Sequence, residues 1–259
     1  MSRYRFFTEQ EICVEVVEPR GDSKGNALIL LGMPATIGET AITAMLTSHG
    51  WTTLQPHYHG TYDSGGLFSP ASAADTVRSV TRAVEAGAVI DVKSNQSRNI
   101  ARTVSLIVGY SFGAHVAFRT LAEFNDLTVV LLLSPAIAYG DDSTGFSSEG
   151  VDFLDYLSRS RPYTYRLADK SEWQRFYSGL DNSFPAKTGS IAQPITIMAY
   201  VGSKDESIDA RRLTVGLTAL VEDVLGDDTT CTVKVVQGAG HSSGDLLTDE
   251  IRSEIGTLR

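Results

Sequence analysis

Short apolar runs alternate along this chain with segments whose apolar residues recur at helical spacing, and that alternation leaves few folds open. The apolar runs, which predict β-strands, are residues 27–31, 51–55, 104–108, 128–133, 195–201 and 231–236. Neighbouring parallel strands must be joined by a long crossover, usually a helix that packs on the sheet. The pattern therefore predicts an α/β fold, a doubly wound and mostly parallel sheet with helices on both faces. Because ligands of such sheets bind at the carboxyl ends of the strands, the loops after the strands are the candidates for chemistry.

The segments between these strands carry helix signals of their own. Apolar periodicity predicts helices over residues 42–46, 69–86, 112–123, 213–224 and 247–258. Ser69 followed by Pro70 is typical of a helix start, with serine as the N-cap and proline as the first helical residue. Before residue 27, the alternating run 12–17 predicts an early strand, and we expect two antiparallel strands at that edge of the sheet.

One region interrupts the alternation of strands and helices. A chain of 259 residues fits a single α/β core with an insertion. We expect residues 1–135 and 194–259 to form the core and residues 136–193 to form a helical cap over the carboxyl ends of the strands. The alternative is a peripheral helical element with a small core of its own. The stretch holds 10 of the 22 aromatic side chains: Tyr139, Phe146, Phe153, Tyr156, Tyr163, Tyr165, Trp173, Phe176, Tyr177 and Phe184.

Charge and composition exclude several classes of partner. The formal net charge of −9 repels phosphate backbones and anionic lipid headgroups, so we expect neither nucleic acid nor a membrane surface as a partner. The apolar run at residues 129–133 is far shorter than the ~20 residues that cross a bilayer. The first residues show no secretory signal, and Cys13 and Cys231 are typical of reduced core thiols, so we expect a cytoplasmic protein. The oligomeric state stays open.

The sequence Gly109-Tyr110-Ser111-Phe112-Gly113 is the strongest functional signal. It lies between a predicted strand and a predicted helix, as the G-x-S-x-G nucleophile elbow requires. A serine held in such a sharp turn needs glycine on either side, because a Cβ there would collide with the neighbouring strand or helix. The motif predicts Ser111 as a nucleophile, with a tight structural turn as the alternative.

At this motif the chain resembles the α/β-hydrolase family, and the resemblance spans nearly its whole length. The resemblance implies an eight-stranded, mostly parallel sheet and a triad in the chain order nucleophile, acid, histidine. His241, in the loop after the last predicted strand, fits the base. Asp205, in the loop after residues 195–201, matches the position that usually supplies the acid, with Glu206 as the nearest competitor. His115 is the histidine nearest to Ser111 in sequence, but it is better explained as a residue of the predicted helix 112–123.

Two backbone amides are expected to form an oxyanion hole. The amide of Phe112 lies at the positive end of a predicted helix. The segment Gly32-Met33-Pro34-Ala35 resembles the family's H-G-x-P loop, in which the residue after glycine donates, so Met33 is the second expected donor. Leu31 stands where the family often has histidine.

The run His57-Tyr58-His59-Gly60 follows the predicted strand 51–55, so its tip is expected at the rim of the site. We predict substrate contacts for His57, Tyr58 and His59, and for Trp173 in the cap, with a plain surface loop as the alternative for the first three. Two imidazoles at this spacing can chelate zinc, but no third ligand follows at a recognisable interval, so no metal is expected. No dinucleotide or phosphate-binding motif occurs, and no cofactor is expected.

Together these features predict a serine hydrolase that acts on an ester or thioester of a small acyl substrate. The same triad serves acyl transfer to an acceptor other than water, and cofactor-free cleavage of a carbon–carbon bond beside a carbonyl. The non-enzymatic alternative is a member of the fold that binds a ligand without turning it over.

Overall fold

The fold is described from a computed structural model, which covers residues 2–38, 40–137, 150–177, 194–225 and 229–258, without the side chains of residues 150–153, 175 and 177. Its strands are β1 (Ser2–Phe7), β2 (Cys13–Glu18), β3 (Asn26–Leu30), β4 (Thr52–Pro56), β5 (Ile90–Asp91), β6 (Gln96–Ser97), β7 (Val104–Tyr110), β8 (Val129–Leu133), β9 (Thr196–Gly202) and β10 (Thr230–Val236). Strands β5 and β6 form a small hairpin of their own.

The other eight strands form one sheet in the order β1-β2-β4-β3-β7-β8-β9-β10. Six neighbouring strands of this sheet are parallel, namely β4, β3, β7, β8, β9 and β10. Strand β2 is antiparallel to both β1 and β4. Both the predicted eight-stranded, mostly parallel sheet and the antiparallel pair at one edge are confirmed. The outer strand of that pair is Ser2–Phe7, for which no range was predicted.

Helices cover the sheet on both faces. They are α1 (Ala41–Ser48), α2 (Pro70–Ala86), α3 (Phe112–Arg119), α4 (Gly150–Ser160), α5 (Lys170–Tyr177), α6 (Ala210–Leu225), α7 (Ser243–Leu246) and α8 (Asp249–Gly256). One buried cluster contains residues of α2, α3 and α6, and a second contains residues of α1 and α8. Since β3, β7, β8 and β9 contribute side chains to both clusters, their runs are apolar throughout, as strands buried on both faces require.

Two helix boundaries differ from the prediction. The helix expected over 112–123 ends at Arg119 and is followed by a 3₁₀ turn, Leu121–Glu123. The helix expected from residue 247 begins at Asp249, because the side chain of Thr248 accepts from the amide of Ile251 as an N-cap. At the start of α2, Ser69 is the N-cap and Pro70 the first residue, as predicted.

Residues 150–177 form two helices that belong to the main core. Leu154, Leu157, Tyr165, Trp173 and Phe176 lie in the same buried cluster as the side chains of α2 and α3. The rings of Trp173 and Phe176 pack on Phe112, directly after the predicted nucleophile. The described part of the insertion therefore has no separate core. The side chains of Tyr139, Phe146, Phe153, Tyr177 and Phe184 lie outside the described residues.

The two cysteines are free and lie on strands at opposite sides of the sheet. Cys13 is buried on β2, whereas Cys231 is half-buried on β10, with five other strands between β2 and β10 in the sheet. Strands spaced about 4.8 Å apart put these residues far beyond the reach of a disulfide. Within the described ranges, no helix has both the length and the apolar character to span a membrane.

Candidate active site

The sheet order places five predicted or observed site residues side by side. Met33 follows β3, Ser111 follows β7, Ser134 follows β8, Asp205 follows β9 and His241 follows β10. These strands are parallel and adjacent, so the five loops meet along the carboxyl edge. Residues widely separated in sequence thus become neighbours.

Ser111 lies in a strained turn between β7 and α3. Its backbone angles of φ 51° and ψ −117° lie in a region that residues with a side chain rarely adopt. A Cβ on Gly109 would lie 2.6 Å from the Cα of Ala114, and one on Gly113 would overlap the carbonyl oxygen of Leu30. The two glycines predicted from the motif therefore allow β3, β7 and α3 to approach closely around the serine.

The turn is fixed by the end of β8. The amide of Ser111 donates to the carbonyl of Leu133 at 2.9 Å, and the amide of Ala136 donates to the carbonyl of Ser111 at 3.2 Å. Phe112 is the first residue of α3, where the helix itself supplies no acceptor for the amide. This is the geometry expected of an oxyanion donor.

His241 connects the serine to the acid. Its Nε2 lies 3.1 Å from the hydroxyl oxygen of Ser111, and its Nδ1 lies 2.9 Å from Oδ2 and 3.0 Å from Oδ1 of Asp205. With Nδ1–H donating to the carboxylate, the lone pair of Nε2 faces the Ser111 hydroxyl. About 29% of the His241 side chain is exposed, so the ring is accessible from solvent.

The loop that carries His241 is bound to the loop that carries Asp205. The amide of Lys204 donates to the carbonyl of Ala239 at 2.9 Å, and a Cβ on Gly202 would overlap that carbonyl. The hydroxyl of Tyr110 donates to the backbone carbonyl of His241 at 3.1 Å. Burial, with the nearby charge of Asp205, raises the pKa of Tyr110 to about 12, so the hydroxyl stays a donor. The segment that carries the His241 imidazole is therefore held from two sides.

Asp205 is an ionised carboxylate with a full set of donors. Its side chain is fully buried, and burial by itself raises the pKa of a carboxyl group. Hydrogen bonds from His241 and Ser134 outweigh burial, so the pKa of Asp205 lies below its ordinary value. Oδ1 also accepts from the amides of Ser207 and Ile208, each at 2.9 Å. Glu206, the competing acid, is exposed.

The loop after β3 lies against the serine and is held by tyrosines. A Cβ on Gly32 would lie 3.1 Å from the Cβ of Ser111, which shows how closely the two loops pack. The amide of Ala35 donates to the hydroxyl of Tyr165 at 2.9 Å, and the hydroxyl of Tyr58 donates to the carbonyl of Leu31 at 3.0 Å. Met33, half-buried between these anchors, remains the predicted second oxyanion donor.

Sequence reasoning missed Ser134 and Tyr165. Ser134 belongs to no sequence motif, yet its hydroxyl donates to Asp205 at 2.7 Å. Tyr165 was counted only among the aromatic residues of the cap. No spacing rule indicates either role, because each depends on which loops meet in space.

The predicted substrate-contact residues have internal partners. Tyr58 is 5% exposed and its ring packs on Phe68 and Phe112, which favours a structural role over substrate contact. Trp173 is fully buried, and its Nε1 donates to the carbonyl of Phe68 at 3.2 Å. These two predictions have no support from the geometry.

The two histidines of the His57-Tyr58-His59 run separate in the structure. The His57 ring is buried beside Glu15 and Asp63, away from the surface where we expected it. His59 is half-buried, its amide donates to Thr76 and its ring lies beside Gly66. Substrate contact by His59 stays a prediction.

His115 is a buried residue of helix α3, as expected. It is buried against Phe112 and Phe176. Burial, with a smaller effect of Arg119, lowers its pKa to about 3, so it is neutral.

Comparison with known proteins shows the fold. No protein-family model and no curated protein matches the sequence. An esterase from Pyrococcus furiosus is 15% identical with a TM-score of 0.61, covering 98% of this chain and 87% of its own. An α/β serine hydrolase homologue from Coxiella burnetii is 16% identical with a TM-score of 0.56, covering 98% of this chain and 95% of its own. A serine hydrolase without a lid from Xanthomonas campestris is 17% identical with a TM-score of 0.54, covering 98% of this chain and 92% of its own. The chain has the α/β-hydrolase fold, which confirms the fold class that the resemblance implied.

Proposed function

We propose that this protein is a serine hydrolase that cleaves a carboxylic ester or a thioester of a small acyl substrate through an acyl-enzyme on Ser111. The observation that supports the proposal is the continuous hydrogen-bonded chain from the Ser111 hydroxyl through His241 to Asp205. This is the arrangement of nucleophile, base and orienting acid that activates a serine at neutral pH.

In the first half-reaction the Ser111 oxygen attacks the acyl carbon while Nε2 of His241 takes the hydroxyl proton. The amides of Phe112 and Met33 donate to the developing oxyanion, where charge is stabilised most effectively by donors already in place. The carbon–oxygen or carbon–sulfur bond then breaks, and His241 returns the proton to the leaving alcohol or thiol. The acyl group remains on Ser111 as an ester.

In the second half-reaction water attacks the same carbonyl carbon and gives a proton to His241. Collapse of the tetrahedral intermediate releases the carboxylic acid, and the proton returns to the Ser111 oxygen. Asp205 stays ionised throughout and holds the imidazole in the tautomer that presents Nε2 to the serine. Its depressed pKa is consistent with that role.

The proposal is tested by labelling the protein with a fluorophosphonate and mapping the modified peptide. We expect one adduct, on Ser111, and none after Ser111→Ala. In parallel, Ser111→Ala should reduce turnover of activated acyl esters and thioesters by several orders of magnitude. Ser158→Ala, which removes an exposed serine on α4, is the control and should change neither readout. Ester turnover that survives Ser111→Ala would refute the proposal.

A further inference from the structure

A second cluster of reactive side chains lies at the antiparallel edge of the sheet. Ligand atoms of Cys13, His57 and Asp63 all lie within 4.8 Å of one another. Cys13 and His57 are fully or almost fully buried, whereas about half of the Asp63 side chain is exposed. None of the three belongs to the Ser111 site.

Strand register brings the thiol and the imidazole together. Val14 of β2 pairs with Pro56 of β4, so Cys13 and His57 occupy the next opposed positions, and the His57 amide donates to the Cys13 carbonyl at 2.9 Å. Opposed residues of antiparallel strands present their side chains on one face. Glu15, two residues along β2, lies on the same face.

Asp63 is brought to this pair by its neighbour Ser64. The buried hydroxyl of Ser64 donates to the carbonyl of His57 at 2.7 Å and accepts from the amide of Cys13 at 3.0 Å. The carboxylate of Asp63 thereby reaches to 3.8 Å from Nδ1 of His57. The backbone that carries all three side chains is therefore fixed before any ligand binds.

The His57 ring has unused bonding capacity. Neither ring nitrogen makes a hydrogen bond within the part of the chain that the structure describes, although the ring is fully buried. Its Nε2 lies 3.5 Å from Oε1 of Glu15, beyond the usual N–H···O length. A buried polar atom without a partner costs free energy, so a ring with two such atoms needs a physical reason.

We propose that Cys13, His57 and Asp63 form a zinc site, in which Zn²⁺ is bound by the Cys13 thiolate, one ring nitrogen of His57 and one carboxylate oxygen of Asp63. Sulfur and imidazole ligands select zinc over magnesium and calcium, which take oxygen ligands. On binding, the Cys13 thiol loses its proton to solvent and a sulfur–zinc bond forms. The fourth position is left to water or to Glu15.

Charge and distance are compatible with this site. The guanidinium of Arg5 lies 2.6 Å from Glu15 and 3.2 Å from Asp63. The charges of zinc and Arg5 are then balanced by the thiolate and the two carboxylates, so the assembly is neutral. Ligand atoms around tetrahedral zinc lie roughly 3.3–3.8 Å apart, so the cluster must contract by about 1 Å. Rotation of the exposed Asp63 side chain supplies part of that movement.

The site was not visible in the sequence because only one of its three protein ligands, His57, belongs to the His57-Tyr58-His59 run. His59, the partner that the spacing suggested, is not in the cluster, whereas Cys13 arrives from β2 and Asp63 from the loop after β4. The zinc site is independent of the proposed hydrolase reaction, since it uses none of the residues around Ser111.

Cobalt(II) is the probe, because it replaces zinc and reports its ligands by colour. Full-length, metal-free protein is titrated with Co²⁺, and we expect saturation at one ion per chain, with a thiolate-to-cobalt charge-transfer band and the intense visible bands of tetrahedral cobalt. One equivalent of Zn²⁺ should abolish both. The absence of stoichiometric binding, or an octahedral spectrum without a thiolate band, would overturn the proposal.

Variants separate this site from adventitious binding. Cys13→Ser should abolish the thiolate band. Asp63→Asn, at an exposed side chain, should keep the band and weaken affinity by about tenfold or more, a loss already caused by changes to groups that only support ligands. Cys231→Ser and His59→Gln are the matched controls and should bind as wild type does. A band that survives Cys13→Ser, or disappears with Cys231→Ser, refutes the site.

Thermal unfolding distinguishes the loss of a zinc ligand from the failure of a variant to fold. Zinc binds only the folded site, so excess Zn²⁺ should raise the melting temperature of the wild-type protein. The rise should be smaller for Asp63→Asn, whose melting temperature in chelator should match that of wild type. An equal rise in both proteins would show that Asp63 is not a ligand.

Discussion

The hydroxyl of Ser134 donates a hydrogen bond of 2.7 Å to Oδ2 of Asp205, which joins the end of β8 to the carboxylate that follows β9. Ser134 has a φ of 42°, so the backbone is held in an unfavourable region where this contact is made. We therefore expect Ser134 to position the Asp205 carboxylate.

Ser134→Ala should therefore raise the pKa of Asp205 and destabilise the fold in a pH-dependent way. A carboxyl with a depressed pKa stabilises the fold above its ordinary pKa and loses that contribution as pH falls through the folded value. The difference in unfolding free energy from wild type should be about 1–3 kcal/mol near neutral pH. It should shrink as pH falls below the ordinary aspartate pKa and through the lower pKa of the folded state, where Asp205 becomes protonated in both proteins. Chemical denaturation at several pH values measures it. A difference that is independent of pH would contradict the assignment.

Asp205→Asn should reduce kcat on activated esters by about 10⁴-fold while leaving the fold intact. Oδ1 accepts two backbone amides, so an asparagine keeps its oxygen there and turns its NH₂ group towards Nδ1 of His241. The imidazole then presents N–H, not a lone pair, to Ser111. Glu206→Gln is the control at the neighbouring exposed carboxylate and should retain wild-type turnover. Comparable losses in the two variants would exclude Asp205 as the specific acid.

Gly113→Ala should destabilise the protein severely, because the new Cβ would overlap the backbone carbonyl of Leu30. Neither group can move without displacing β3 or α3, so we expect a loss of about 3 kcal/mol or more in unfolding free energy. Gly21→Ala is the matched control, since a Cβ there meets nothing within 4 Å. Denaturant unfolding of the two variants tests this. A Gly113→Ala protein as stable as Gly21→Ala would show that the elbow is less tightly packed than the structure indicates.

Tyr165→Phe should impair ester turnover without a change in the triad. The substitution removes the acceptor for the Ala35 amide, in the loop that carries the expected Met33 donor. Loss of one hydrogen bond and a loosened loop should lower kcat/KM by about tenfold, with fluorophosphonate labelling slowed similarly. Tyr163→Phe, at a side chain that is 92% exposed, is the control and should behave as wild type. Unchanged kinetics in Tyr165→Phe would show that the Tyr165 hydroxyl does not position the loop that carries Met33.

Trp173→Ala should act through stability more than through substrate preference. The side chain is fully buried and packs on Phe68, so its removal should cost about 3–5 kcal/mol of unfolding free energy. Val215→Ala, at a side chain that is 70% exposed, should change stability by less than about 0.5 kcal/mol. Activity on acyl esters of graded length should fall uniformly. A selective loss for long acyl chains would restore the predicted substrate contact.

The sheet and the row of candidate catalytic residues were predictable because both depend on local signals. Alternating strands and helices define a parallel sheet, and G-Y-S-F-G carries its own steric demand for glycine at positions 109 and 113. Asp205 and His241 were predicted because the loops after two later strands match the positions and chain order that the resemblance to the α/β-hydrolase family implies. The edge strand Ser2–Phe7 was missed, because its strand character depends on pairing with β2.

The sequence by itself determined the central strands and most of the helices that cover them, since backbone preference and apolar periodicity act over a few neighbouring residues. The G-Y-S-F-G motif and the resemblance to the α/β-hydrolase family added the three residues of the proposed triad. Tertiary structure alone decided which other side chains meet: Ser134 with Asp205, Tyr165 with Ala35, and Cys13 with His57 and Asp63. These contacts arise from strand register and from loops that converge at an edge of the sheet. Such distances are set by the packing of the whole chain, so no local pattern records them.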